Sequence, residues 1–187
     1  MRWCFLLLFP AISASAQPQQ EPPNGLLLVA KPGLTDPNFR ETVVLVTQTA
    51  DSSTVGVILN RPTPKTHEKT GTPLSFGGPV MREVLVALYS SPRAPEAAAF
   101  HVLKGIYLTL HPQNLEDLRG NDRQRYRLFM GFAGWAPGQL ENELARDDWF
   151  VLPASAELLF RKDTTGMWEE LVTKARGRVA LRQKIVY

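Results

Sequence analysis

Three short apolar runs rich in β-branched residues open the structured part of the chain: Gly25–Ala30 (GLLLVA), Thr42–Thr47 (TVVLVT) and Val55–Leu59 (VGVIL). Turn-forming residues separate them. Runs of this length, with this composition, predict buried strands rather than helices. Asp51-Ser52-Ser53 precedes the third run and predicts a hairpin joining the second and third strands. A chain that places so many β-formers so early must build a sheet first and bury it with its later segments.

Those later segments mix strands and helices. Val84–Tyr89, Gly105–Leu110 (GIYLTL), Tyr126–Phe132 (YRLFMGF) and Trp149–Leu152 read as further strands. Pro112–Arg119 reads as a short helix, with proline in its first turn and Leu115 and Leu118 on one face. Pro137–Arg146 reads as a helix whose Leu140 and Leu144 share an inner face. Ser155–Phe160 and Met167–Arg176 are the last two predicted helices, the second capped by Asp163 or Thr165 and stopped by Gly177. The prolines, threonines and lysines of residues 62–73 predict a loop, and so do residues 90–99. Strands come in clusters and helices gather towards the end, so the expected fold is α+β rather than a doubly wound α/β sheet. Residues 25–177 form its single domain.

The segment before the domain reads as an address. Met1-Arg2, the apolar stretch from Trp3 to Phe9 and the small residues Ala14-Ser15-Ala16 have the layout of a secretory signal, residues 1–16. The apolar stretch is too short for a membrane-spanning helix, which needs roughly 20 residues. Residues 17–24 are a proline- and glutamine-rich linker. Removal of the signal takes away Cys4, the single cysteine of the chain, and with it any thiol nucleophile, thiolate ligand or disulfide. The formal net charge of the whole chain is only +3. The one dense basic run is Arg176, Arg178, Arg182 and Lys184, in and before a tail over residues 178–187. Nucleic-acid binders concentrate charge on one face; here the run reads as a solvated helix end, and an exported chain seldom meets DNA.

Four segments in order carry a family resemblance. They are Asp36-Pro37-Asn38-Phe39 before the second strand, Leu59-Asn60-Arg61-Pro62, Gly77-Gly78-Pro79-Val80, and the long stretch Gly131-Phe132-Ala133-Gly134-Trp135-Ala136-Pro137-Gly138-Gln139-Leu140-Glu141-Asn142-Glu143-Leu144. With Trp149, Phe160 and Trp168 they resemble the YqgE/AlgH family over roughly residues 25–175. The resemblance implies an α+β fold with a compact, barrel-like mixed sheet flanked by helices. Some members are described as transcriptional regulators, and no established reaction comes with the family. Where members usually carry histidines after the second strand and at the end of the strand following GGPV, this chain has Gln48 and Tyr89.

Each candidate site has a functional and a structural reading. Gly77 and Gly78 can let backbone N–H groups converge on an anion, or simply satisfy a tight turn. Gly134 and Gln139 lie in a glycine-rich turn that starts a helix, where a carboxylate or phosphate can sit; Glu141 and Glu143 in the first turns already complement the dipole. Glu143 and Asp147, four apart, can share a face. Asn60 and Arg61 end a buried strand. Arg61 can bind an anionic ligand or form an ion pair with one of those acids. His67, His101 and His111 show no metal spacing, so no metal or cofactor is expected, and no nucleophile elbow, P-loop or dinucleotide fingerprint is present. The leading expectation is an exported, non-enzymatic binding or regulatory module, its partner a protein or a small anion. Its ligand residues would be Asn60, Arg61, Gly77, Gly78, Gly134 and Gln139, in a groove between the two glycine turns. The alternatives are an enzyme with a glycine-turn oxyanion site near Arg61 and Glu141, and a nucleic-acid-associated regulator. Trp135, Trp149 and Trp168 are expected to pack around the Pro137–Arg146 helix.

Overall fold

The three opening runs form strands β1 (Leu26–Ala30), β2 (Val43–Gln48) and β3 (Thr54–Ile58), paired antiparallel in chain order. The computed structural model describes residues 24–118 and 124–185, with side chains described through residue 178. Residues 1–23, which hold the expected signal and most of the expected linker, lie outside the described residues. Asn24, read as the end of the linker, precedes β1 and is tied by its side chain to the end of β2. Its side chain receives the Gln48 N–H at 3.1 Å and returns a hydrogen bond to the Gln48 carbonyl at 3.1 Å, as a strand residue would.

The remaining elements are β4 (Pro62–Thr66), β5 (Pro73–Phe76), β6 (Val80–Ser90), β7 (Phe100–Leu103), β8 (Ile106–Thr109), α1 (Pro112–Asp117), β9 (Tyr126–Trp135), α2 (Gln139–Ala145), β10 (Trp149–Pro153), α3 (Ala156–Leu159) and α4 (Met167–Ile185). The main sheet runs β10-β1-β2-β3-β9-β6-β8-β7, with β5 parallel to β9 and β4 antiparallel to β5. The chain is thus a single α+β domain dominated by its sheet. The sheet is not a closed barrel, because β10 and β7 stand at opposite ends of the ladder. A single bond from the Gly25 N–H to the Val102 carbonyl, 2.9 Å, draws the β7 end over the start of β1.

Strand β9 is the organiser. Its second half pairs with β3 through Thr54↔Trp135 to Gly56↔Ala133, while its first half lies between β5 and β6. The stretch Ala133–Trp135, expected to leave the strand as a turn, therefore continues β9. Gly131 lies where neighbouring backbone comes close, whereas a Cβ on Gly134 would meet only side chains at ordinary contact distance. The reversal is confined to Ala136-Pro137-Gly138, and Gly138 (φ 79°) precedes α2.

Part of the expected loop 62–73 is strand β4. Pro62 and Pro64 cannot donate to a ladder, which restricts such a strand to a sheet edge, and its pairing with β5 is irregular. Strand β7 directly follows the loop expected over residues 90–99. Helix α4 runs through Gly177 instead of stopping there. Gly177 is not among the positive-φ glycines, and a helical glycine costs only about 1 kcal/mol relative to alanine. Side chains 179–187, most of the basic tail, lie outside the described residues.

Two buried layers explain why the opening runs are continuous rather than alternating. Leu27, Val29, Val43 and Leu45 pack with Phe129 and with Met167 and Leu171 of α4. The intervening Leu28, Val44 and Val46 pack on the other side with Ile58, Trp135 and Trp149, backed by Leu140 and Leu144 of α2. Strands buried on both faces lose the period-two signal. Trp168 is the exception to the expected aromatic group. It packs against the α4 layer and donates its Nε1 hydrogen to the Ala30 carbonyl at 2.7 Å.

Candidate functional site

The two glycine segments do meet, but backbone meets backbone. Gly77 donates to the Met130 carbonyl and accepts from the Ile58 N–H, both at 2.9 Å. A Cβ on Gly77 would lie 2.2 Å from the Gly131 carbonyl oxygen, and one on Gly78 would lie 2.3 Å from the Phe132 carbonyl carbon. Gly134 pairs with Val55 across the β3–β9 ladder. Gly77 and Gly78 thus allow close packing of two chain segments, and backbone occupies the space between them. The Gly77 N–H, needed by an oxyanion reading, is already bonded.

The α2 turn is likewise satisfied from within. The Gln139 Oε1 accepts from the Ala136 N–H at 3.2 Å and its Nε2 donates to Glu143 Oε1 at 3.2 Å. The other Glu143 oxygen accepts from both indoles, Trp135 Nε1 and Trp149 Nε1, each at 2.9 Å. Phe39 stacks on Trp135 at 5.6 Å and meets Trp149 edge-on at 5.8 Å. Glu143 is therefore the polar anchor of an aromatic cluster, a role its spacing from the two tryptophans does not reveal. Asp147, its expected partner on a shared face, adopts φ 67° and pairs instead with Lys31. Glu141 is exposed and lines neither of the two clefts that flank Pro62.

Asn60 and Arg61 line the first cleft, of about 480 Å³, with Arg40, Glu41 and the chain from Thr164 to Glu169 at the start of α4. Asn60 is locked in place: its Oδ1 accepts from the Val43 N–H at 2.8 Å and its Nδ2 donates to the Glu41 carbonyl at 2.9 Å. Arg61 Nη2 donates to the carbonyls of Arg40 at 3.2 Å and Pro37 at 3.4 Å. The expected ion pair with an α2 acid is replaced by these carbonyl contacts, because Arg61 immediately precedes β4 and sits against the 36–41 loop. Burial lowers the Arg61 pKa and the neighbouring Arg40 lowers it further, against a smaller opposing pull from Asp36 and Glu41. An anion between the two guanidiniums would relieve that repulsion.

A second cleft, of about 500 Å³, shares Pro62 and Thr164 with the first. Its cations are Arg125, Arg127, Arg161 and Lys162. None of these entered the sequence-based site. The legible signal was Arg125-x-Arg127, since alternate residues of an extended chain share a face. Arg127 is clamped by the Leu59 carbonyl at 2.7 Å and the Leu159 carbonyl at 3.1 Å. Its burial pushes the guanidinium pKa down to about 10, so it is charged at neutral pH. The histidines serve locally. His111 Nδ1 accepts from the Gln113 N–H at the start of α1, His67 contacts the Thr70 hydroxyl, and His101 stacks on Tyr107.

Comparison with known proteins gives a consistent result. A family model described as AlgH-like (DUF179) matches residues 27–180. A UPF0301 protein of Anaeromyxobacter dehalogenans strain 2CP-1 is 34% identical over 178 residues, covering 83% of this chain and 90% of the relative. A UPF0301 protein of Thermobifida fusca is 31% identical over 175 residues, covering 83% and 88%. Among solved structures, a Corynebacterium diphtheriae protein superposes with a TM-score of 0.61 at 25% identity, covering 83% of this chain and 88% of the other. The solution structure of the AlgH protein of Pseudomonas aeruginosa shares the fold at a TM-score of 0.60 and 24% identity, covering 73% and 79%.

Proposed function

The chain belongs to the AlgH-like family, and from that premise we propose that it is a non-enzymatic binding module that takes a small anion in the cleft formed by Arg40, Asn60, Arg61 and the start of α4. One observation carries this reading. Two guanidiniums line a recess of about 480 Å³ at the N-terminus of a 19-residue helix, whose dipole favours negative charge. Glu41 and Glu169 also line it and temper the field, so the site suits one small anion of modest affinity. Of the ligand residues expected from sequence, Asn60 and Arg61 belong to this cleft; Gly77, Gly78, Gly134 and Gln139 support the fold around it.

The test is a titration of the isotopically labelled protein with inorganic phosphate and with acetate, monitored through amide chemical shifts. Shifts centred on residues 40–41, 60–61 and 165–169 are the expected result. The Arg40→Ala, Arg61→Ala double variant should weaken binding at least tenfold. Arg40→Ala alone, which leaves the Arg61 contacts to backbone in place, should weaken it less. No shifts in this cleft at tens of millimolar anion would refute the reading.

Export is part of the same proposal. It is supported by the charge, apolar run and small residues of segment 1–16. Among the described residues no helix is long and apolar enough to cross a membrane. Intact-mass measurement of protein from its native cell should place Gln17 at the N-terminus. A cytosolic, full-length chain as the sole form would overturn export without touching the anion site.

A further inference from the structure

We propose that the second cleft, between β5, the start of β9 and the segment after α3, binds an organic phosphate with an aromatic or apolar body. The cleft has its own charged residues and does not depend on the reading of the first. Its volume of about 500 Å³ lies within the roughly 300–1,000 Å³ of small-molecule sites. Among the described residues four cations line it and no carboxylate does. One carboxylate reaches in from the rim: Glu170 binds the Arg161 guanidinium through both oxygens, at 2.6 and 3.2 Å. Glu157 and Asp163 also lie near Arg161. Arg125, Arg127 and Lys162 have no carboxylate partner among the described residues.

Arg127 sets the floor of the site. A guanidinium has five donors, and its bonds to the Leu59 and Leu159 carbonyls leave others unspent. Those same bonds hold it rigid, so little side-chain entropy is lost when an anion arrives. Burying a cation without a counter-charge is costly, and a bound phosphate offsets that cost with charge-assisted hydrogen bonds. Arg125 lies over the Phe160 ring, 4.7 Å from its centroid, which fixes a second planar donor group at the mouth. Guanidinium forks match phosphate oxygens in pairs, which favours phosphate over a simple halide-like ion.

The rest of the lining argues for more than a bare phosphate. Pro73, Leu74, Leu128, Phe160 and Tyr126 supply apolar and aromatic wall. The Tyr126 hydroxyl is taken up by the Thr72 hydroxyl at 3.0 Å, presenting the ring rather than the polar tip. Two adjacent chemistries, a charged floor and an apolar wall, match a molecule with a phosphate at one end and a ring at the other. A nucleic-acid strand would need the basic surface to continue along the backbone. Among the described residues that surface is interrupted by Glu41 and Glu169 in the adjoining cleft and by Glu170 at the rim.

Calorimetric titration of the full chain tests this, with AMP, phenyl phosphate, inorganic phosphate and adenosine as probes. AMP and phenyl phosphate should bind at least tenfold more tightly than inorganic phosphate, and adenosine should give no heat. Arg125→Ala combined with Lys162→Ala, two exposed side chains, should weaken AMP binding at least tenfold with an unchanged thermal midpoint. Arg61→Ala should leave AMP affinity within twofold, which separates this site from the first. Failure of AMP and phenyl phosphate to bind at millimolar concentration would overturn the proposal. So would an Arg125, Lys162 variant that binds like the wild type, or inorganic phosphate binding as tightly as AMP. Tight binding of a 15-nucleotide single strand without binding of AMP would overturn it in favour of a polymer.

Discussion

Trp135→Ala is expected to lower the unfolding free energy by about 3–5 kcal/mol, the range for truncating a fully buried large aromatic. The ring is only 3% exposed and sits in the layer between the sheet and α2. Two losses add to the lost burial. The stack on Phe39 disappears, and Glu143 is left with one indole donor in place of two. Glu143 is only partly buried and keeps its bonds to Trp149 and Gln139, so the lost donor adds little to that range. Against a total stability of about 5–15 kcal/mol, the variant keeps a small margin. Urea denaturation should show the midpoint falling by about 1.5–2.5 M for a slope near 2 kcal/mol/M. An unchanged midpoint would mean that the cluster contributes nothing to the core and that the ring is available to a ligand.

The second large effect concerns a glycine. Gly131→Ala should abolish the native fold, whereas Gly138→Ala should cost only about 1–2 kcal/mol. Both residues have positive φ, 70° and 79°, so both substitutions carry the same backbone strain. Their surroundings differ completely. A Cβ on Gly131 would lie 2.6 Å from the Gly78 carbonyl oxygen, 2.9 Å from that of Val80 and 3.1 Å from the Cα of Arg82. Those are backbone atoms of strand β6 and the turn before it, which cannot swing aside as a side chain can. A Cβ on Gly138 meets nothing within 4 Å. Circular dichroism and soluble yield of the two variants separate the cases. Equal, mild losses would show that the two segments are not packed backbone on backbone and would restore a hollow between them as a binding site.

The elements that read clearly from the sequence are those whose signal is local. The apolar runs at 25–30, 42–47 and 55–59 became β1, β2 and β3 to within a residue, because β-branched residues and short turns act on neighbours in the chain. The Leu140 and Leu144 pair gave the buried side of α2 for the same reason. Family membership was legible in four motifs because they are contiguous. Reading failed where a residue type has two opposite uses. Ala133-Gly134-Trp135 looked like the start of a turn, but it continues strand β9; Gly131 meets backbone too close for a side chain, whereas Gly134 does not. Pro62 and Pro64 looked like a loop, but they occupy an edge strand.

The candidate site divides in the same way. That Asn60 and Arg61 end a buried strand is dictated by the chain itself. What they face is not, because Pro37 and Arg40 on one side and α4 on the other are distant in sequence. The basic cleft is more extreme: Pro62, Arg127 and Lys162 come from three separate parts of the chain. They converge only because β9 inserts between β5 and β6 and Arg127 ties the ends of β3 and α3 to it. Strand and helix preferences are set by short-range sterics and hydrophobic period, so the sequence alone determined those elements, the apolar positions and the family. Which polar side chains share a cavity depends on long-range strand order and backbone-to-backbone packing, and only the tertiary structure decided that.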